Sequence, residues 1–169
     1  MSESPPPRSD APPGPGSFLG IAIIAAVLIV DQISKVVAEQ TLDVDVMIDI
    51  LPILALYLTY NPGIAFSFLR GADSGWLLGG VIVVTLVVLV FWMRSREGGK
   101  LAAVGFGLIV GGAVGNIIDR IAYGHVIDFL LLHIGDRTPF IFNLADVALT
   151  LGPIVLIVAY LFMPRRSPA

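Results

Sequence analysis

Hydrophobic positions along this chain gather in four long blocks, at about residues 18–37, 76–92, 101–121 and 143–163. A helix needs about 20 apolar residues to cross a bilayer, and each block is long enough to do so. The third block carries Gly107, Gly111 and Gly115 at four-residue spacing, a small-xxx-small face suited to close helix contact. The fourth contains Pro153, tolerable in a span where a neighbour satisfies the freed carbonyl. Between the first two blocks the pattern changes. Asp43, Asp45 and Asp49 alternate with Val44, Val46, Ile48 and Ile50, the period of a strand with one polar face. Leu51-Pro52 predicts a turn and residues 53–60 a returning strand; residues 126–132 predict another. Trp76 and Trp92 bracket the second block and read as interface anchors. The predicted fold is an all-α membrane protein with four transmembrane helices and a small extracytoplasmic β-sheet built from the outer loops.

Composition strengthens this picture. The 169 residues suffice for one domain. They are 56% hydrophobic and 14% charged, against about 25% charged in soluble domains, so lipid must cover the apolar surface. Residues 1–16 are rich in Pro, Ser and Gly and predict a disordered tail. The first apolar run ends in Asp31-Gln32-Ile33-Ser34-Lys35 rather than a small-residue cleavage site, which argues against a removed leader. Residues 17–164 form the four-span domain, and 165–169 a basic cytoplasmic tail. Arg94, Arg96 and Lys100 lie between spans two and three, and Arg8, Arg165 and Arg166 in the tails. Residues 38–60 carry acids only. The basic residues place both termini in the cytoplasm and both longer loops outside. Absent cysteine excludes disulfides, thiol nucleophiles and thiolate metal sites. No basic stripe of the kind nucleic acid needs is present.

On this topology the polar residues collect at one leaflet. Asp31 and Lys35 lie at the outer end of span one, Asn61 before span two, and Asn116, Asp119 and Arg120 at the outer end of span three. Asp128 follows in the loop, and Asn143 and Asp146 open span four. Ionisable groups at membrane depth are costly and usually functional. Spacings of three and four put Asn116, Asp119 and Arg120 on one helix face and allow Asp31 to pair with Lys35. Two close carboxylates in low dielectric share a proton and supply the base and acid that peptide hydrolysis needs. Asp146, in the first turn of span four, is favoured as an anion by the helix dipole. This makes Asp128 the member that holds the proton. His125 and His133 form no metal-ligand pattern, so no metal is expected. A Ser67–Lys35 or Ser34–Lys35 dyad is a weaker possibility.

Five ordered blocks carry a family resemblance. They are Asp31-Gln32-x-x-Lys35, Asn61-x-Gly63-x-Ala65-Phe66-Ser67, Gly115-Asn116-x-x-Asp119-Arg120, Val126-Ile127-Asp128-Phe129 and Phe142-Asn143-x-Ala145-Asp146. With them the chain resembles lipoprotein signal peptidase (signal peptidase II) over residues 18–163. The resemblance implies that Asp128 and Asp146 are the catalytic pair and that Asp31, Asn61, Asn116, Arg120 and Asn143 support or line the site. Lys35 and Asp119 join them as neighbours. It implies a prolipoprotein substrate whose cysteine already carries diacylglycerol, cleavage just before that cysteine, no cofactor, and the bacterial inner membrane as location. Membrane lipids and substrate are the expected partners, and the chain is taken as a monomer. Pro62 stands where the family commonly has Thr, and Val147 where it has Ser.

Blander readings stand beside these. Asp31–Lys35 can be an interfacial ion pair, Asp119–Arg120 a structural pair, Asn143 an N-cap, and Asn61-Pro62-Gly63 a turn. The rival function is a transporter or proton-relay subunit, which also uses buried carboxylates but needs a polar track to both faces. A membrane scaffold is the other rival.

Overall fold

The computed structural model describes residues 11–63, 74–135 and 137–162. Ser67, Trp76 and the C-terminal tail lie outside the described residues or side chains. The elements run α1 (Phe18–Thr41), β1 (Met47–Leu51), β2 (Leu54–Asn61), α2 (Ser74–Arg94), α3 (Gly99–Tyr123), β3 (Val126–Ile134), β4 (Arg137–Phe142) and α4 (Leu144–Phe162). Three helices, α1, α3 and α4, are long and apolar enough to cross a membrane; the described apolar stretch of α2 is shorter, Leu78–Arg94. Ile29, Ile33 and Val37 of α1, and Leu151, Ile154 and Leu161 of α4, point outward. Such surfaces suit lipid and not water.

α3 is the central helix, and its glycines explain how. A Cβ on Gly107 would lie 2.6 Å from Ile23 of α1, and one on Gly111 2.8 Å from Val27. The predicted small-xxx-small face therefore does meet a helix. A second face carries Gly105 and Gly112 against α4, where a Cβ on Gly112 would lie 2.5 Å from the Ala145 carbonyl oxygen. With no side chains between them, the backbones approach closely on both sides of α3.

The connecting segments form one antiparallel sheet of order β1-β2-β3-β4. Thr59 pairs with Asp128 and Asn61 with Val126, so the end of β2 lies beside the start of β3. Ile127 and Phe129 pack with Ala38 of α1 and Leu58 of β2. Asp128 lies between them in sequence, and a strand points it to the opposite face. Strand β4 was not predicted. It pairs Phe142 with Leu130 and delivers the chain directly into α4. The alternation that begins at Asp43 overstates β1: Asp45 adopts φ +59°, and regular pairing starts only at Met47.

Two other expectations are corrected. Trp92 is not an interface anchor. It is buried, stacks on Phe106 at 5.7 Å and donates its indole N–H to the Pro13 carbonyl at 2.8 Å. That contact, with the buried Pro12, packs residues that composition assigned to a disordered tail.

Gly112→Ala is expected to lower stability by about 1–3 kcal/mol, because its new Cβ meets backbone. Gly80→Ala, with nothing within 4 Å of the added carbon, is expected to leave stability unchanged or slightly raised. Thermal unfolding in detergent checks both; equal behaviour of the two variants would refute the close-packing account.

Candidate active site

The C-terminal part of α1, the C-terminal part of α3 and the N-terminus of α4 meet at one end of the bundle, where the predicted polar residues join one hydrogen-bonded network. At its base lies Lys35. Its ammonium donates to Asp31 Oδ2 at 2.8 Å and to Asn116 Oδ1 at 3.1 Å, and is ion-paired with Asp119 Oδ2 at 2.8 Å. An ammonium can only donate, and three acceptor oxygens surround this one. Lys35, Asp31 and Asp119 are fully buried, and α1 continues to Thr41, so this is not an interfacial pair at a helix end. Asp119 pairs with Lys35, not with Arg120. Arg120 donates to the Asn116 carbonyl at 3.3 Å. Ser34 points elsewhere, donating to the Asp31 carbonyl at 2.7 Å; with Lys35 paired to two carboxylates, the Ser34–Lys35 dyad is excluded.

Asp31 extends the network to α4. Its Oδ1 accepts the backbone N–H of Ala145 at 2.9 Å, an anion against the positive end of a helix. The approach depends on Gly115, where a Cβ would lie 2.5 Å from Asp31 Oδ2. Gln32, to which no role was assigned, bridges the two carboxylates, donating to Asp119 Oδ1 at 3.0 Å and Asp31 Oδ2 at 3.2 Å. Its place in the Asp31-Gln32-x-x-Lys35 block was the available signal.

Asn143 caps α4. Its side-chain oxygen accepts the Asp146 N–H at 3.0 Å, and Asp146 Oδ2 accepts the Asn143 N–H at 3.2 Å, a reciprocal capping box. The capping reading is therefore correct, but Asn143 does more. Its amide donates to Asp128 Oδ1 at 2.6 Å and to Asn116 Oδ1 at 3.2 Å. Asn116 in turn donates to Asp146 Oδ1 at 2.8 Å. Asn61 donates to Asp128 Oδ2 at 3.0 Å while its own oxygen accepts the Gly63 N–H at 2.9 Å. Asn61 thus both shapes the turn and bonds Asp128. Asp128 and Asp146, eighteen residues apart in sequence, share Asn143 as a common partner.

Both carboxylates line a cleft of about 660 Å³, together with Asn61, Asn116 and Arg120. The cleft extends along β4 past Phe140 and Ile141 and down α4 past Thr150 and Leu151. It thus combines an apolar run with a few convergent polar groups. Burial pushes the Asp128 carboxyl up to about 6, and the nearby Asp146 charge adds to the rise. Hydrogen bonds from Asn61 and Asn143, and the charge of Lys35, oppose it. The two histidines lie apart: His125 packs on Tyr60, and His133 sits 3.2 Å from Asp49.

Known proteins resemble this chain over most of its length. The family described as signal peptidase (SPase) II matches residues 23–162. A lipoprotein signal peptidase of Mesorhizobium japonicum is 41% identical over 87% of this chain and 88% of its own length. One from Paraburkholderia phytofirmans is 37% identical over 99% of this chain and 97% of its own. A solved bacterial membrane enzyme superposes with a TM-score of 0.73 at 28% identity, covering 90% of this chain and 96% of that one.

The raised Asp128 carboxyl carries a linkage consequence. The folded chain holds this proton more tightly than the unfolded chain, whose carboxyl titrates near 3.8. Asp128's contribution to stability is therefore full below about pH 4 and lost as pH rises through about 6, a change on the order of 2–3 kcal/mol. Unfolding in detergent across this window should show that decline in the parent and a shallower one in Asp128→Asn; parallel curves would contradict the assignment.

Proposed function

The chain belongs to the signal peptidase II family, and from that premise we propose that Asp128 and Asp146 are its catalytic pair. The protein is a membrane peptidase that cleaves the signal peptides of lipoproteins. The carrying observation is that the two acids, from β3 and α4, are bound through one asparagine and face one cleft.

The chemistry follows from that arrangement. Asp146 takes a proton from water as the oxygen attacks the scissile carbonyl carbon. Protonated Asp128 gives its proton to the carbonyl oxygen, producing a tetrahedral diol. Asp146 then passes its proton to the departing amine, the C–N bond breaks, and the remaining hydroxyl proton returns to Asp128. One proton shared by two acids thus serves both steps. Asn61, Asn116 and Asn143 hold the carboxylates in place, and Arg120 faces the cleft as a cation for a peptide carbonyl.

The substrate's cysteine carries diacylglycerol, and the cut falls just before it. The arm of the cleft beside Thr150 and Leu151 suits apolar chains, whose binding would fix the scissile bond beside the acids. A transporter reading finds no support. Among the described residues, the buried charged side chains are Asp31, Lys35, Asp119 and Asp128, all in this network, with no track toward the other face. The functional unit is read as one chain, since it supplies every group of the site.

We read α2 as the fourth span, with the termini cytoplasmic and the sheet outside, because Arg94 at the end of α2, Arg96 in the connection and Lys100 at the start of α3 gather at one corner. The sequence has no cysteine, so introduced thiols report without background. Asp43→Cys should react with a membrane-impermeant maleimide on intact spheroplasts, and Glu97→Cys only after permeabilisation. The reverse pattern would invert the topology.

Asp128→Asn and Asp146→Asn should each lower turnover of a diacylglyceryl-modified precursor by about 10³-fold or more, while the variants still fold. The parent should cut the unlipidated precursor far more slowly. Substantial turnover by either variant removes that residue from the pair.

A further inference from the structure

Lys35 lies one amide away from the proposed catalytic pair and touches neither member in any recorded bond. An ammonium only donates, so the Asn116 atom it meets at 3.1 Å is oxygen. Asn143 donates to that same oxygen at 3.2 Å. The Asn116 NH2 group is thereby forced toward Asp146, which it reaches at 2.8 Å. Turned over, the amide would present NH2 to two donors and oxygen to a carboxylate. We propose that Lys35 is a positioning residue that locks the Asn116 amide and, through it, holds Asp146 as the hydrogen-bond-accepting, ionised member of the pair.

Two features set this apart from a merely structural ion pair. Lys35 makes three polar contacts, two with the carboxylates of Asp31 and Asp119 and a third, a hydrogen bond, with Asn116. The third bond contributes nothing to neutralising the ammonium, yet it lies on the route to Asp146. The charge on Lys35 also polarises the Asn116 amide, which strengthens its N–H toward Asp146. The charged and titratable groups surrounding this route are Asp31 and Lys35 from α1, Asp119 and Arg120 from α3, Asp128 from β3 and Asp146 from α4. The inference rests on the carboxylate-pair reading and adds how that pair is poised.

The test is the pH profile of kcat/KM on a lipidated precursor. Lys35→Met combined with Asp119→Asn removes the ammonium and one of its two carboxylates, leaving the net charge of the cluster unchanged. Asn116→Ala removes the amide alone. Each should move the acid limb to higher pH by roughly one unit, with activity recovering at higher pH, and the combined variant should move it no further than either alone. A limb that stays put in both, or shifts that add, would overturn the inference. Should the Lys35 variant not fold by thermal unfolding, Asp119→Asn alone decides. It leaves Lys35 less neutralised and should move the limb to lower pH in the parent but not in Asn116→Ala; an equal shift in both backgrounds would show the charge acting through space. Turnover that survives Asp128→Asn would instead sink the carboxylate-pair reading, wherever the limb lies.

Discussion

An ammonium buried between two carboxylates fixes everything at the polar end of this bundle. Lys35 bonds Asp31 on its own helix and Asp119 on α3, and Asp31 also accepts the Ala145 N–H at the start of α4. Ion pairs of this kind bring little net stability, because desolvation offsets attraction. Their force lies in the alternative. Removing one partner strands a charge away from water and costs about 3–5 kcal/mol. The three helices are therefore held to one mutual arrangement by the cost of every other.

That arrangement is possible only because α3 is small-sided. Gly115 leaves room for the Asp31 carboxylate, Gly112 for the Ala145 carbonyl, and Gly107 and Gly111 for α1. Packing and polar bonding then enforce each other. Close helices exclude water, low dielectric strengthens the hydrogen bonds, and fully engaged donors leave the amides one orientation. Asn116 and Asn143 inherit their directions from Lys35 and from the α4 cap, and pass them to the two acids.

Much of this could be read from the chain itself. The apolar blocks located the helices, the glycine spacing located a real contact face, and all nine polar residues singled out at one leaflet do converge. Partner choice could not be read. Asp119 and Arg120 are adjacent in sequence, but adjacent positions on a helix point about 100° apart, so Asp119 turned to Lys35 and Arg120 to the cleft. Gln32 stands in the Asp31-Gln32-x-x-Lys35 block, but that spacing does not say which carboxylates its amide bridges. Trp92 misled because an aromatic at a span end reads the same whether it faces headgroups or a folded-back tail. Strand β4 escaped because Arg137-Thr138-Pro139-Phe140 lacks alternation and contains a proline, tolerable here on an edge strand.

That unpredicted strand is what brings the two acids together. Asp128 lies at the start of β3 and Asp146 in the first turn of α4. A purely helical connection would carry them apart by the rise of the helix. The β3–β4 hairpin instead returns the chain, pairing Phe142 with Leu130, so that Asn143 emerges beside Asp128 and begins α4 within bonding distance of it. One residue therefore closes the hairpin, caps the helix and joins the carboxylates. A carboxylate pair made from a strand and a helix N-terminus has different surroundings built in. Asp146 sits among first-turn N–H groups, and Asp128 between two side-chain amides on a buried strand, where its proton is held more tightly. Two chemically identical side chains are thus given unequal surroundings by the elements that carry them.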